Sequence, residues 1–150
     1  MKVLCVCTGN TCRSPMLMTL IASACAKASR TGVVVESAGT SAVAGEAASG
    51  GAIRAMRRRG LSLDAHRSRG VQSLSVSDFD RVLCMSSNHA AYMRSLGIPA
   101  SKLEVVNAEA GGVPDPFGGP DSAYEQTAAA LESFAQEFCS RAHPVDPGAQ

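Results

Sequence analysis

Eight consecutive residues, Cys7-Thr8-Gly9-Asn10-Thr11-Cys12-Arg13-Ser14, put a thiol, a turn, a cation and a hydroxyl within reach of one ligand. The chemistry that suits such a set is attack of sulfur on phosphorus. Successive backbone N–H groups of a turn that runs into a helix converge on an oxyanion, and the helix dipole adds partial positive charge. That field favours the thiolate form of a cysteine at its mouth. Arg13 offers a planar fork for two phosphate oxygens and a charge to match a trigonal-bipyramidal transition state. Ser14 can donate a hydrogen bond to the Cys7 sulfur, which favours the thiolate and eases its later departure. Gly9 is expected to take a backbone twist closed to other residues, while Asn10 tolerates the left-handed region better than most.

The bare pattern Cys-x5-Arg is weak, since six Cys and eleven Arg in this chain give roughly 0.4 such pairs by chance. A strand–loop–helix junction, with Gly, Asn and Ser at useful places, is what makes it specific. Reading Cys5, Cys7 and Cys12 as metal ligands lacks the Cys-x2-Cys spacing and a matched second pair, so no metal is expected. A thiol phosphatase also needs an acid to protonate the leaving atom. Asp115 is the candidate. Pro114 and Pro116 fix the backbone around it, which suits a carboxylate that must be placed to within about an ångström.

These residues need a scaffold, and the chain supplies alternating strand and helix signals. Residues 2–7 (KVLCVC) form a short apolar run ending at Thr8-Gly9-Asn10, a buried strand followed by a turn. Ser14-Pro15 starts a helix that continues over Met16–Ser29. Val33–Ser37 is the second strand and Ala47–Arg59 the second helix, with Ile53 and Met56 inward and Gly60 closing it. Arg81–Met85 and Leu103–Val106 are the remaining strands, with a helix over Ser87–Leu96 between them. The Gly- and Pro-rich Glu109–Pro120 segment is expected to be irregular. After it, Tyr124, Thr127, Leu131, Phe134 and Phe138 recur at spacings of three and four, the mark of an amphipathic helix. His143–Gln150 reads as a frayed tail. The fold expected is α/β: a single three-layer domain over residues 1–150, with a four-stranded parallel sheet of order 2-1-3-4 and helices on both faces. In such sheets the ligand crevice lies beyond the carboxyl ends of the strands, where the Cys7–Ser14 and Asp115 loops both fall.

Composition narrows the function classes. The chain has 150 residues, 45% hydrophobic and 18% charged, with a formal charge of +1, which excludes a disordered chain and argues against a nucleic-acid surface. Without Trp, and with two Tyr and four Phe, it has little material for stacking bases. No apolar run approaches the roughly 20 residues that span a bilayer, so no membrane partner is expected. With no secretory leader ahead of Cys5, Cys7 and Cys12, the thiols suit a reducing cytoplasm. The cluster Arg54, Arg57, Arg58 and Arg59 reads first as a solvated helix face and second as a docking patch for acidic substrates.

On these residues the chain resembles the low-molecular-weight protein phosphatases. CTGNTCRSP looks like their phosphate loop and Asp115-Pro116-Phe117 like their acid loop. Further matches are Ser37-Ala38-Gly39-Thr40, Asp64-x-His66, Asp80-Arg81-Val82-Leu83-Cys84-Met85 and Tyr124, so the resemblance runs through the whole chain. One departure is Met16-Leu17-Met18 after Pro15, where the family usually continues Met-Ala-Glu.

The resemblance implies a cofactor-free, two-step mechanism. Cys7 attacks, Asp115 protonates the leaving group, and a phosphocysteine is then hydrolysed with Asp115 as base. It also implies that Thr8, Gly9, Asn10, Thr11, Cys12, Ser14 and Phe117 meet the substrate, and that Ser37 and His66 support the loop with Asn10. Cys12 matches a second loop cysteine that can cap an oxidised Cys7 as a reversible disulfide. Partners would be phosphorylated proteins, with the enzyme a monomer or weak dimer.

Thr11 and the Phe117-Gly118-Gly119 run look most like the bacterial protein-arginine phosphatase branch, because tyrosine-directed members often carry Ile or Leu at the first position. A small hydroxyl there leaves room for a planar guanidinium. Phosphotyrosine is the alternative substrate. An arsenate reductase would need a relay of two further thiols, and Cys84 stands without one nearby. A non-enzymatic phosphate or redox sensor is the remaining class.

Overall fold

Lys2–Cys7 (β1) becomes the central strand because its residues beyond Lys2 are buried on both faces. In the computed structural model, which describes residues 1–142, it pairs in parallel with Val34–Gly39 (β2) on one side and Arg81–Cys84 (β3) on the other. Leu103–Val105 (β4) pairs with β3, and the order β2-β1-β3-β4 is the one expected. The strand's period of two divides the core. Val3, Cys5 and Cys7 face a cluster built with Arg13–Lys27 (α1), Gly50–Arg57 (α2) and Asp121–Arg141 (α4). Leu4 and Val6 face Met93 of Ser87–Ser95 (α3), with Val71 and Phe79. The expected tail over His143–Gln150 lies outside the described residues.

The first loop is set by register. Cys7 ends β1 opposite Gly39, the last residue of β2, and a Cβ on Gly39 would lie 2.3 Å from the Thr8 carbonyl oxygen. The two strands therefore deliver their ends against each other with no room for a side chain. The left-handed residue of the loop is Asn10, at φ +57°, and not Gly9, where the nearest atom to an added Cβ is Thr11 Oγ1 at 3.7 Å. The twist expected of Gly9 is thus carried by Asn10, whose amide side chain compensates it locally.

Helix α2 begins at Gly50 rather than Ala47. The Ala47–Ser49 backbone is held otherwise: the Ser49 N–H donates to the Thr11 carbonyl at 2.9 Å, which ties this segment to the first loop. The helix ends at Arg57, with Met56 buried, Ile53 half-buried against the core and Gly60 at φ +72° in the turn that follows. Helix α4 buries Tyr124, Thr127, Leu131, Phe134 and Phe138, the residues whose spacing announced it. Glu109–Pro120 is not wholly irregular, since a 3-10 turn over Ala108–Ala110 enters it.

The arginine cluster is a largely solvated face, and acids of the protein answer its charges. Arg54 and Arg58 pair with Asp121, Arg58 and Arg59 with Glu125, Arg59 with Glu132, and Arg57 with Asp64. Arg54, Arg58 and Arg59 lie at the end of α2 against α4, whose acids answer their charge. Most of these pairs are exposed and each contributes little on its own, but they fix the orientation of α2 against α4.

Candidate active site

A cavity of about 230 Å3 opens beyond the carboxyl end of β1. Its floor is Cys7, Thr8, Gly9, Thr11, Cys12 and Arg13; Asp115 and Phe117 reach over from the acid loop. Ser41, Val43 and Glu46, from the segment after β2, complete the wall. Helix α1 points its N-terminus at this floor with no acidic residue in its first turn and no side-chain cap, so its positive end is not neutralised.

Sulfur and hydroxyl are paired as expected: Cys7 Sγ lies 2.9 Å from Ser14 Oγ. The direction of that bond follows from the network behind it. Ser14 Oγ accepts from Asn10 Nδ2 at 2.8 Å, and its other acceptor, the Ala38 carbonyl, is at 3.5 Å. The hydroxyl proton therefore belongs to the sulfur, where it stabilises negative charge.

Asn10 is fully buried and every polar group of its side chain is used. Nδ2 also donates to Ser37 Oγ at 3.0 Å, and Oδ1 accepts the Arg69 N–H at 3.0 Å. His66 donates from Nε2 to the Asn10 carbonyl at 2.7 Å. Asn10, Ser37 and His66 thus form the network beneath the loop, with Arg69 as an additional member. Arg69 also donates from Nε to the Ser37 carbonyl at 3.1 Å, and it escapes sequence reasoning because both partners lie more than 30 positions away.

Arg13 is 6% exposed, and its guanidinium is held from one side. Nη1 donates to the Val113 carbonyl at 2.9 Å, and Nη2 lies 3.5 Å from Asp115 Oδ2. Nε is buried without a partner among the described residues. A buried donor left unpaired is costly, so its place beside the cavity fits an anion that completes it. Asp115 is oriented from both sides: Oδ1 accepts the Phe117 N–H at 3.1 Å, while Oδ2 faces Arg13. The cavity thus brings a thiol, a buried guanidinium and a half-exposed carboxyl to one point.

Cys12 opens onto the same cavity, with its sulfur 3.1 Å from Ser49 Oγ and 3.6 Å from the Tyr124 hydroxyl. The other thiols are core. Burial pushes Cys84 up to about 12 and Cys25 to about 11, Cys139 adding to the latter, and raises Cys5 well above the usual thiol range. These three stay neutral near pH 7 and carry no nucleophilic chemistry. His89, which sequence reasoning passed over, is buried at the edge of the site and bonds Thr8. Its partner lies 81 positions away, so no spacing could have flagged it.

Burial lowers the pKa of His66 from its ordinary 6.5, although the bond to Asn10 works the other way. Burial and then Arg13 lower that of His89, partly offset by Asp115. Both favour the neutral ring in the folded state. Below about pH 6.5 the unfolded chain therefore binds protons that the folded chain refuses, and stability falls as pH falls. The urea midpoint should drop between about pH 7.5 and pH 5.5; a midpoint that rises over that window would contradict the burial of both rings.

Comparison with known proteins agrees with this geometry. Residues 2–144 match the family model described as low molecular weight phosphotyrosine protein phosphatase. A protein-arginine-phosphatase of Bacillus subtilis (strain 168) is 34% identical, with 94% of this chain and 96% of the relative covered. The low molecular weight protein-tyrosine-phosphatase Etp of Escherichia coli (strain K12) is 29% identical, with 93% of each covered. Among solved structures, a YwlE arginine phosphatase variant with a phosphorylated active-site serine superposes with a TM-score of 0.87 at 32% identity, covering 94% of this chain and 95% of the other. Among the described residues no helix is long and apolar enough to cross a membrane. A match of this length, on a chain whose loop, buried arginine and acid meet at one cavity, makes the protein a member of the low molecular weight phosphotyrosine protein phosphatase family, hydrolases that act on phosphorylated proteins.

Proposed function

We propose that Cys7 is the nucleophile of a two-step phosphatase acting on phosphoarginine in proteins. The observation that carries the mechanism is the placement of Cys7 Sγ 2.9 Å from Ser14 Oγ, on the floor of a cavity whose wall holds Asp115 against Arg13. In the first step sulfur forms a bond to phosphorus while the P–N bond breaks, and Asp115 gives its proton to the departing nitrogen. Loop N–H groups and Arg13 hold the equatorial oxygens as their charge changes. In the second step Asp115, now a carboxylate, takes a proton from water. The water oxygen bonds to phosphorus, and the Cys7 thiolate leaves toward the Ser14 hydroxyl. No cofactor enters either step.

Thr11 supports the substrate residue. It lines the cavity beside Cys12, its Oγ1 lying 3.8 Å from that sulfur, and its small size leaves width for a guanidinium. Asp115 and Glu46 on the walls suit N–H donors of that group. The named relatives include arginine phosphatases at 32% and 34% identity. Phosphotyrosine is a second reading, favoured by Phe117 and Val43, which are 70% and 64% exposed and give the mouth apolar walls.

The deciding experiment compares kcat/KM on phosphoarginine and phosphotyrosine peptides for the unaltered protein and Thr11→Ile. The unaltered protein should favour phosphoarginine, and Thr11→Ile should shift the ratio toward phosphotyrosine by about 10- to 100-fold, the range one altered pocket contact gives. Equal or better tyrosine activity in the unaltered protein overturns the ordering. Six free thiols fit a reducing cytoplasm, and the enzyme would work there as a monomer or weak dimer. A disulfide between Cys7 and Cys12, formed when peroxide oxidises Cys7, would guard the nucleophile.

A further inference from the structure

Both ring nitrogens of His89 are engaged, and the protons can be assigned by counting. His89 is 7% exposed, in the first turn of α3, with Nδ1 2.8 Å from Ser86 Oγ and Nε2 2.8 Å from Thr8 Oγ1. Ser86 caps the helix, its Oγ accepting the His89 backbone N–H at 3.3 Å. Ser86 Oγ keeps a second lone pair and its proton, and among the described residues Nδ1 is the acceptor within reach of that proton. Donation to Nδ1 is therefore the order that leaves the Ser86 hydroxyl satisfied. A neutral ring that accepts at Nδ1 carries its proton at Nε2, and that N–H donates to Thr8 Oγ1. Thr8 Oγ1 thus accepts, and its own proton must point elsewhere. Among the described residues the Thr8 hydroxyl has no other hydrogen-bond partner, and Thr8 lines the cavity above Cys7. Arg13 on α1 and Asp115 on the acid loop are the charged groups that face the ring; the first favours the neutral form and the second opposes it.

We propose that His89 is a positioning residue that aims the Thr8 hydroxyl into the cavity as a donor to a phosphoryl oxygen, in a relay from Ser86 through the ring to Thr8. The relay lies outside the network that supports Asn10 and ties the β3–α3 junction to the floor of the site. It rests on the reading of that cavity as the phosphate site. The opposite proton order would present a Thr8 lone pair to the anion and repel it, so the two assignments differ in sign.

The test is competitive inhibition of p-nitrophenyl phosphate hydrolysis by inorganic phosphate, read as Ki and KM beside kcat. Thr8→Val removes the hydroxyl at nearly constant shape, and His89→Leu removes the donor that orients it. Each should raise the phosphate Ki and KM by about tenfold, the worth of one hydrogen bond to a charged acceptor. Because they act through one bond, the double variant should be no worse than Thr8→Val alone. Thr8→Ser and His89→Gln keep the donors and should recover most of the phosphate affinity that Thr8→Val and His89→Leu lose.

Losses that add in the double variant, or an unchanged phosphate Ki in Thr8→Val, overturn the proposal. If His89→Leu fails to fold, Ser86→Ala takes its place in the cycle, and its effect must likewise vanish in the Thr8→Val background. Absence of turnover and of phosphate inhibition in the parent protein would instead overturn the assignment of the cavity as the phosphate site.

Discussion

Cys7→Ser is expected to lower turnover of p-nitrophenyl phosphate by about 10^4-fold or more while leaving inorganic phosphate bound. The two halves of that outcome rest on different atoms. Attack needs a sulfur anion, and a serine hydroxyl does not ionise near neutral pH even with Ser14 at hydrogen-bond distance. Binding needs the free N–H groups at the start of α1 and the Arg13 guanidinium, neither of which the substitution touches. Calorimetry with phosphate should therefore give a dissociation constant within a few-fold of the parent, while a continuous assay finds no product. Full activity in Cys7→Ser would sink the covalent mechanism.

Asp115→Asn should have the next largest effect, and its size should depend on the leaving group. Positioned acids contribute roughly 10^2- to 10^4-fold, and most where the departing atom cannot carry negative charge. An alkoxide or a guanidine nitrogen needs the proton far more than p-nitrophenolate does. Phosphoarginine turnover should therefore fall by about 10^3-fold and p-nitrophenyl phosphate turnover by much less, measured as kcat under saturating substrate. Asn keeps the hydrogen bond from the Phe117 N–H, so the acid loop stays in place and the difference isolates the proton. Equal losses on both substrates would mean that the carboxyl orients Arg13 rather than delivering a proton.

What the sequence disclosed follows from where the chemistry is local. Cys7 to Ser14 is one contiguous run ending a buried strand, so thiol, turn and helix start could be read together. Asp115 was legible because two prolines mark a fixed backbone in an otherwise open loop. The parallel sheet was legible because strand and helix signals alternate along the chain. Most of the failures are long-range. Ala47–Ser49 has helical residues, but its backbone is held by Thr11 from the first loop. The acids that pair with Arg54, Arg58 and Arg59 escaped the sequence reading because they lie more than 60 positions along the chain. His89 gave no signal at all, since one buried imidazole bonded to a distant hydroxyl leaves no pattern in sequence. Gly9 was credited with a twist that Asn10 performs, because both residue types tolerate that backbone and only the structure separates them.

The distribution of sulfur has a practical side. All six sulfurs are buried, but Cys7 and Cys12 line the cavity beside Arg13, whereas Cys5, Cys25, Cys84 and Cys139 lie among packed core side chains. An anionic alkylating reagent such as iodoacetate is drawn to the guanidinium and meets those two sulfurs first. Carboxymethylation of intact protein therefore stops at the loop, while an unfolded chain accepts the label at all six cysteines. Mass per chain then counts native molecules in a preparation, and the Cys7–Ser14 loop serves as its own gauge of folding.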